Sequence, residues 1–108
     1  MTARLTTEFW VAAYRARLQA ADIAYYITSK GDATAGAVIV KVVSPEGARA
    51  YQRTFDFDGV RAWGVLAEGA EPDVDEVLAQ QRRFDPDLWI IEIEDRDGRT
   101  LLDEEGLR

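Results

Sequence analysis

Residues 37–66 read AVIVKVVSPEGARAYQRTFDFDGVRAWGVL, and the turns inside this stretch decide the fold. Ser44-Pro45-Glu46-Gly47 combines the residue types that preset a tight reversal. Ala37–Val43 before it and Arg49–Phe57 after it are rich in β-branched and aromatic residues, which suit a pleated, half-buried surface. Asp58-Gly59 is a hairpin-type dipeptide leading into a further strand, Val60–Leu66. Turns this short join antiparallel neighbours, whereas parallel strands need a crossover of about a dozen residues. The stretch therefore predicts an antiparallel meander.

Working outward, Ala24–Ser29 has strand character and is joined to the meander by the loop Lys30–Gly36. From Thr7 to about Asp22, Trp10, Ala13, Tyr14, Leu18 and Ala21 recur at three- and four-residue spacings, forming one apolar helical stripe. Thr6 or Thr7 can cap its start, and Glu8 suits the positive end of the helix dipole. Downstream, Ala67–Glu71 breaks the sheet and Pro72 opens a second helix with Val74, Val77, Leu78 and Gln81 on one face and Phe84 at its close. Asp85-Pro86-Asp87 stops that helix before Leu88–Asp95, the most emphatic strand of the chain. Asp97-Gly98 is another hairpin-type turn, which predicts a short strand at Thr100–Leu102 and a frayed end at Asp103–Arg108. The expected fold class is α+β: a two-layer sandwich with two helices on an antiparallel sheet of five to six strands, in the order α-β-β-β-β-α-β-(β).

The length of 108 residues suits a single domain spanning the whole chain, and 47% hydrophobic with 31% charged residues argues for a folded core rather than disorder. There are no cysteines, so disulfides and thiolate chemistry are excluded. Residues 1–8 contain no apolar h-region, with Glu8 where a signal peptide would need to be apolar, and no apolar run approaches the ~20 residues of a membrane span, so a cytoplasmic location without membrane contact is expected. The net charge of -7 is unevenly spread: residues 1–67 hold 8 basic against 6 acidic residues, and residues 68–108 hold 5 against 14. An acidic domain repels phosphate backbones, which makes nucleic acid an unfavoured partner.

The chain resembles the alphaproteobacterial domain-of-unknown-function family 1491. The resemblance is carried by Leu5-Thr6-Thr7-Glu8-Phe9-Trp10-Val11, by Gly31-Asp32 with Ala35-Gly36-Ala37, and by Arg61-Ala62-Trp63. Above all it rests on Phe84-Asp85-Pro86-Asp87-Leu88-Trp89 leading into Glu92, Glu94 and Asp95. It runs from about Arg4 to Asp103. The resemblance implies a bacterial protein and brings no assigned reaction, so no catalytic residue follows from it.

With no histidine and no cysteine, His- or thiol-based triads and ordinary zinc sites are ruled out. Neither Ser29 nor Ser44 stands in a nucleophile-elbow setting, and no phosphate-binding glycine fingerprint is present. No catalytic residue and no cofactor is assigned. Three constellations remain. Gly31, Asp32 and Gly36 bracket a loop whose amides could meet a small anion, or whose glycines simply take turn conformations while Asp32 caps local amides. Glu92 and Glu94 share a strand face beside Asp95 and could hold a hard cation; the alternative is cross-strand pairing with Lys41, Arg53 or Arg61. Tyr51, Arg53, Phe55, Arg61 and Trp63 interleave arginine with aromatics on adjacent strands, a composition favoured at protein interfaces and also used to stack single-stranded bases. The residues point first to a non-catalytic interaction module with a protein partner, or a second copy as a homodimer. A ligand- or metal-dependent enzyme or sensor and a single-stranded nucleic-acid binder are the alternatives.

Overall fold

A computed structural model describes residues 5–55 and 57–108. Residues 1–4, at the start of the N-terminal stretch, and Asp56, inside the expected third strand, lie outside the described residues. The elements run α1 (Thr7–Ala20), β1 (Ala24–Ser29), β2 (Val38–Ser44), β3 (Gly47–Phe55), β4 (Arg61–Gly69), α2 (Glu71–Phe84) and β5 (Trp89–Glu94). The α+β class and the order α-β-β-β-β-α-β hold.

Thr6 is the cap of α1, its hydroxyl accepting the Phe9 amide at 3.2 Å, while the Thr7 hydroxyl donates to the Gly36 carbonyl at 2.7 Å. The first helix ends with Asp22 in the left-handed region (φ 57°) and the Ile23 amide closing back on Leu18, a reversal that satisfies the last carbonyls. Pro72 stands in the first turn of α2, whose far end is closed by Arg82 donating to the Pro86 and Leu88 carbonyls.

The five strands lie in the order β1-β5-β2-β3-β4. Strands β2, β3 and β4 form the expected antiparallel meander, with a bulge near Ala50 and Tyr51. Strand β5 enters between β1 and β2, antiparallel to β1 and parallel to β2, so the sheet is mixed and β1 and β2 do not touch. The physical reason lies in burial. Trp89, Ile91 and Ile93 face one side and Ile90 the other, so β5 needs cover on both faces and takes an interior place.

Each face of the sheet has its own core. Trp10, Tyr14 and Leu18 of α1 pack on Val40, Val42, Ile91 and Ile93, while Val74 and Leu78 of α2 pack on Ile39, Ala48, Ala50 and Ile90. The two helices thus take opposite faces, and the sheet forms a middle layer rather than one side of a two-layer stack. The second correction concerns the C-terminus. Thr100–Leu102 forms no strand, and residues 103–108 do not fray: Leu102 and Leu107 are buried in the α1-side core, and Tyr14 Oη donates to the Thr100 carbonyl at 2.8 Å. Strand patterning cannot announce such a segment, because it is held by two isolated leucines rather than by a period.

Candidate functional site

On the α2 face, Lys41 projects from the middle of β2 with its side chain only 3% exposed. Its ammonium donates to Asp75 at 2.6 Å, Glu71 at 2.9 Å and Glu92 at 2.9 Å. The register β2–β5 sets Lys41 directly beside Glu92, and one turn of α2 sets Glu71 four residues from Asp75. Burial pulls the Lys41 pKa down, yet the hydrogen bonds to Asp75, Glu71 and Glu92 outweigh it, leaving the ammonium above the ordinary lysine value. Such a lysine keeps its proton and offers no lone pair for nucleophilic or Schiff-base chemistry. A cleft of about 240 Å³ opens beside it, lined by Thr28, Ser29, Asp75, Arg82 and Glu92 among others.

The carboxylates proposed for a hard cation are divided among other partners. Glu92 belongs to Lys41, as the cross-strand alternative expects, and Asp95 is held by Arg99 at 2.9 Å. The Arg99 guanidinium and backbone hold the Asp95 carboxyl below its ordinary range. Glu94 is exposed at the end of β5. Among the described residues no group of three or more acidic side chains is placed to hold a metal ion.

The loop at Gly31–Gly36 lies at the opposite end of β5 from those carboxylates. The Asp32 carboxylate accepts the amides of Thr34 (3.1 Å) and Ala35 (2.8 Å), filling the nest that an anion would need. The Asp32 carbonyl takes the Trp89 indole N–H at 2.8 Å, and its amide donates to the Asp87 carbonyl at 3.0 Å. Both glycines sit against that same Asp87 carbonyl with no room for a Cβ. Gly31→Ala is therefore expected to lower stability by about 1–3 kcal/mol, the usual size of overpacking, measured by urea unfolding. A neutral result would show that the loop yields freely there.

The aromatic/arginine face is split by the C-terminal segment. Arg53 packs against the rings of both Trp10 and Trp63, at 5.1 and 5.0 Å from their centroids, and donates to the Leu107 carbonyl at 3.2 Å. Trp63 Nε1 donates to the same carbonyl at 2.9 Å. Tyr51 is half-buried, its hydroxyl accepting from Arg49 at 3.4 Å. Phe55 and Arg61, facing each other beside the turn of the β3–β4 hairpin, are exposed. Base stacking would need Trp63 and Arg53 open, and the residues around Leu107 cover them.

A broader feature was not legible from any one motif. Leu5 and Phe9 flank the start of α1, whose Thr7 and Glu8 amides donate to Thr34 and Ala33 in the Gly31–Gly36 loop. That loop is bonded to Asp87, three residues beyond Phe84 at the end of α2. Phe55, Phe57 and Val60 form the hairpin tip, which runs past Ile39 near the start of β2. Leu5, Phe9, Phe55, Phe57, Val60 and Phe84 thus all lie at the end of the sheet where β2 and β5 begin. Among the described residues the other exposed large hydrophobics are Tyr26 and Val65, both on edge strands. At the opposite end, a concavity of about 550 Å³ is lined by Arg49, Tyr51, Glu68, Arg96 and other mainly polar positions, with Arg49 and Glu68 paired at 2.9 Å.

Residues 5–103 match the family model described as "Protein of unknown function (DUF1491)". The chain belongs to the DUF1491 family. Among solved structures it is similar to a DUF1491 family protein from Caulobacter crescentus CB15 in crystal form, with 43% identity and a TM-score of 0.84 over 94% of this chain and 97% of that one. An NMR structure of a DUF1491 family protein from the same organism shares 40% identity with a TM-score of 0.82, covering 95% and 96% of the two chains. Protein Atu0922 from A. tumefaciens shares 28% identity with a TM-score of 0.75, covering 92% of each. No curated protein matches the chain. The DUF1491 fold is thus common to relatives of nearly the same length, and it brings no reaction with it. No helix of the described residues is long and apolar enough to cross a membrane.

Proposed function

We propose that this DUF1491 chain is a non-catalytic protein-interaction domain that docks through the apolar end formed by α1's start, the β3–β4 tip and α2's close. One observation carries the proposal: Phe57 is fully exposed, Phe84 is 88% exposed and Phe55 is 68% exposed, all at one end of the sheet. Large apolar side chains gathered in one exposed region mark an interaction surface, whereas scattered ones need no explanation. Aromatic anchors also carry a disproportionate share of binding energy at interfaces. Charged side chains rim the same end, including Arg61, Arg83 and Asp87, as a polar rim around an apolar centre requires.

The test is a tagged pull-down from native lysate after nuclease treatment, comparing wild type with the Phe57→Ser/Phe84→Ser double variant. The variant is expected to lose the captured protein while its stability stays within about 0.5 kcal/mol, since neither ring contributes to the core. Retention of the same partner at the same yield would refute docking through this end. A second copy of the chain is one candidate occupant, and wild type that sediments as a dimer while the double variant sediments as a monomer would identify it.

A further inference from the structure

The Leu107 carbonyl is met by more donors than a peptide oxygen can use. Trp63 Nε1 at 2.9 Å, Arg53 Nη2 at 3.2 Å and Trp10 Nε1 at 3.3 Å all point at this one atom. A backbone carbonyl has two lone pairs. A fourth donor, Arg53 Nε, is buried without any hydrogen-bond partner, the sole such side-chain atom among the described residues. The guanidinium carries a full positive charge and packs against both indole rings, 5.1 and 5.0 Å from their centroids, while its buried Nε hydrogen has no acceptor. Three N–H groups, one of them from a cation, therefore converge on a neutral oxygen, with a further buried N–H of the same cation unpaired. A carboxylate, with two oxygens, about four acceptor sites and a negative charge, matches that donor set in number and in charge.

Beside the cradle lies an apolar slot. The Leu107 side chain is completely buried among Trp10, Tyr14, Trp63 and their neighbours. The segment that delivers it is held by its buried leucines rather than by strand or helix bonding. It has no regular structure, Leu101 is held at φ 61°, where a branched residue rarely stands, and its Arg17–Glu104 ion pair is solvent-exposed on both sides.

We propose that Trp10, Trp63 and Arg53 form a binding site for a carboxylate carried next to a branched aliphatic group, and that residues 101–108 occupy it as a tethered stand-in. The ligand is a free branched-chain acid or the C-terminal leucine of a peptide; both present the same group to the cradle. The tail competes with either one at the high effective concentration of an attached segment, so the intact chain binds weakly until the tail is released. This site is separate from the apolar docking end, and neither proposal depends on the other.

The test follows the indole N–H signals of the 108-residue chain by NMR during titration with N-acetyl-leucine or its amide. Trp89, whose indole is bonded to Asp32 rather than to the C-terminal segment, serves as the internal control. In the Leu107→Ala chain, N-acetyl-leucine is expected to shift the Trp10 and Trp63 signals, leave Trp89 in place, and bind about tenfold more tightly than the amide. Wild type should bind the acid about tenfold more weakly than the variant, because its tail still competes. Should Leu107→Ala fail to fold, Gly106→Val takes its place: Gly106 stands at φ 90°, which a β-branched residue resists, so the tail is loosened with Leu107 retained. Indole signals that do not move at millimolar acid in a folded variant, or equal affinity for acid and amide, would overturn the proposal. Comparing N-acetyl-leucine with a pentapeptide ending in leucine then separates the two sources: tighter binding of the peptide points to a protein C-terminus, and equal or weaker binding points to the free acid.

Discussion

Lys41→Met is expected to lower the free energy of unfolding by about 3 kcal/mol at neutral pH, the low end of what losing one partner of a buried ion pair costs. The low end applies because the three carboxylates left behind are 23% to 54% exposed and water can reach them. Methionine fills most of the lysine stem's volume, so the loss comes from charge rather than from a cavity. Urea unfolding of both chains reads the difference directly, and a change under 1 kcal/mol would mean that the carboxylates rearrange into solvent at no cost. Glu92→Gln should lose far less, about 1 kcal/mol, since Lys41 keeps Glu71 and Asp75.

The pH dependence of the pair gives a second readout. The folded pKa of Lys41 stands above its unfolded value, so its contribution is complete below the ordinary lysine pKa of about 10.4 and is lost as pH rises through the folded value. In the methionine variant the sign reverses. Glu71, Asp75 and Glu92 then face one another without a cation, like charges raise carboxyl pKa values, and the fold favours the protonated form. The stability deficit of the variant should therefore shrink as pH falls from 7 toward about 4. A deficit that stays constant with pH would assign the loss to packing.

What the sequence makes legible here is local. The turns at Ser44–Gly47 and Asp58-Gly59 and the α1 stripe all reappear in the structure, because each depends on neighbours in the chain. Strand order is a different kind of property. Insertion of β5 between β1 and β2 depends on a pairing some fifty residues distant, which no turn encodes. A hint was present in Trp89, Ile90, Ile91 and Ile93, since apolar residues on both faces belong to interior strands. Likewise, a lysine inside the run Val38-Ile39-Val40-Lys41-Val42-Val43 signals a buried counter-charge, and Glu71 with Asp75 carries the matching four-residue spacing. Joining the two requires knowing that α2 covers that face. The interleaved aromatics of β3 and β4 looked alike in sequence, yet the tail partly covers Trp63 and leaves Phe55 exposed.

The largest remaining effect is expected at Leu107→Ala, a change in a polar C-terminal stretch where sequence patterning anticipates fraying and hence no cost. Leu107 has no exposed surface and touches the core built on Trp10 and Tyr14. Removing three buried carbons leaves both a transfer deficit and a cavity, about 3 kcal/mol for a site of this kind. For a domain of 108 residues that corresponds to a fall in Tm of about 10–20 °C. The backbone carbonyl survives the substitution, so the Trp10, Trp63 and Arg53 donors lose their acceptor only to the extent that the segment lifts away. Calorimetry therefore measures the packing, while hydrogen exchange of the two indole N–H groups measures the lifting. Exchange accelerated at Trp10 and Trp63 but unchanged at Trp89 would locate the opening at the tail, since Trp89 is bonded to the Asp32 carbonyl and not to that segment. A Tm within about 2 °C of wild type would mean that the C-terminal segment contributes nothing to the core, and the α1 face would then be open to solvent in the working protein.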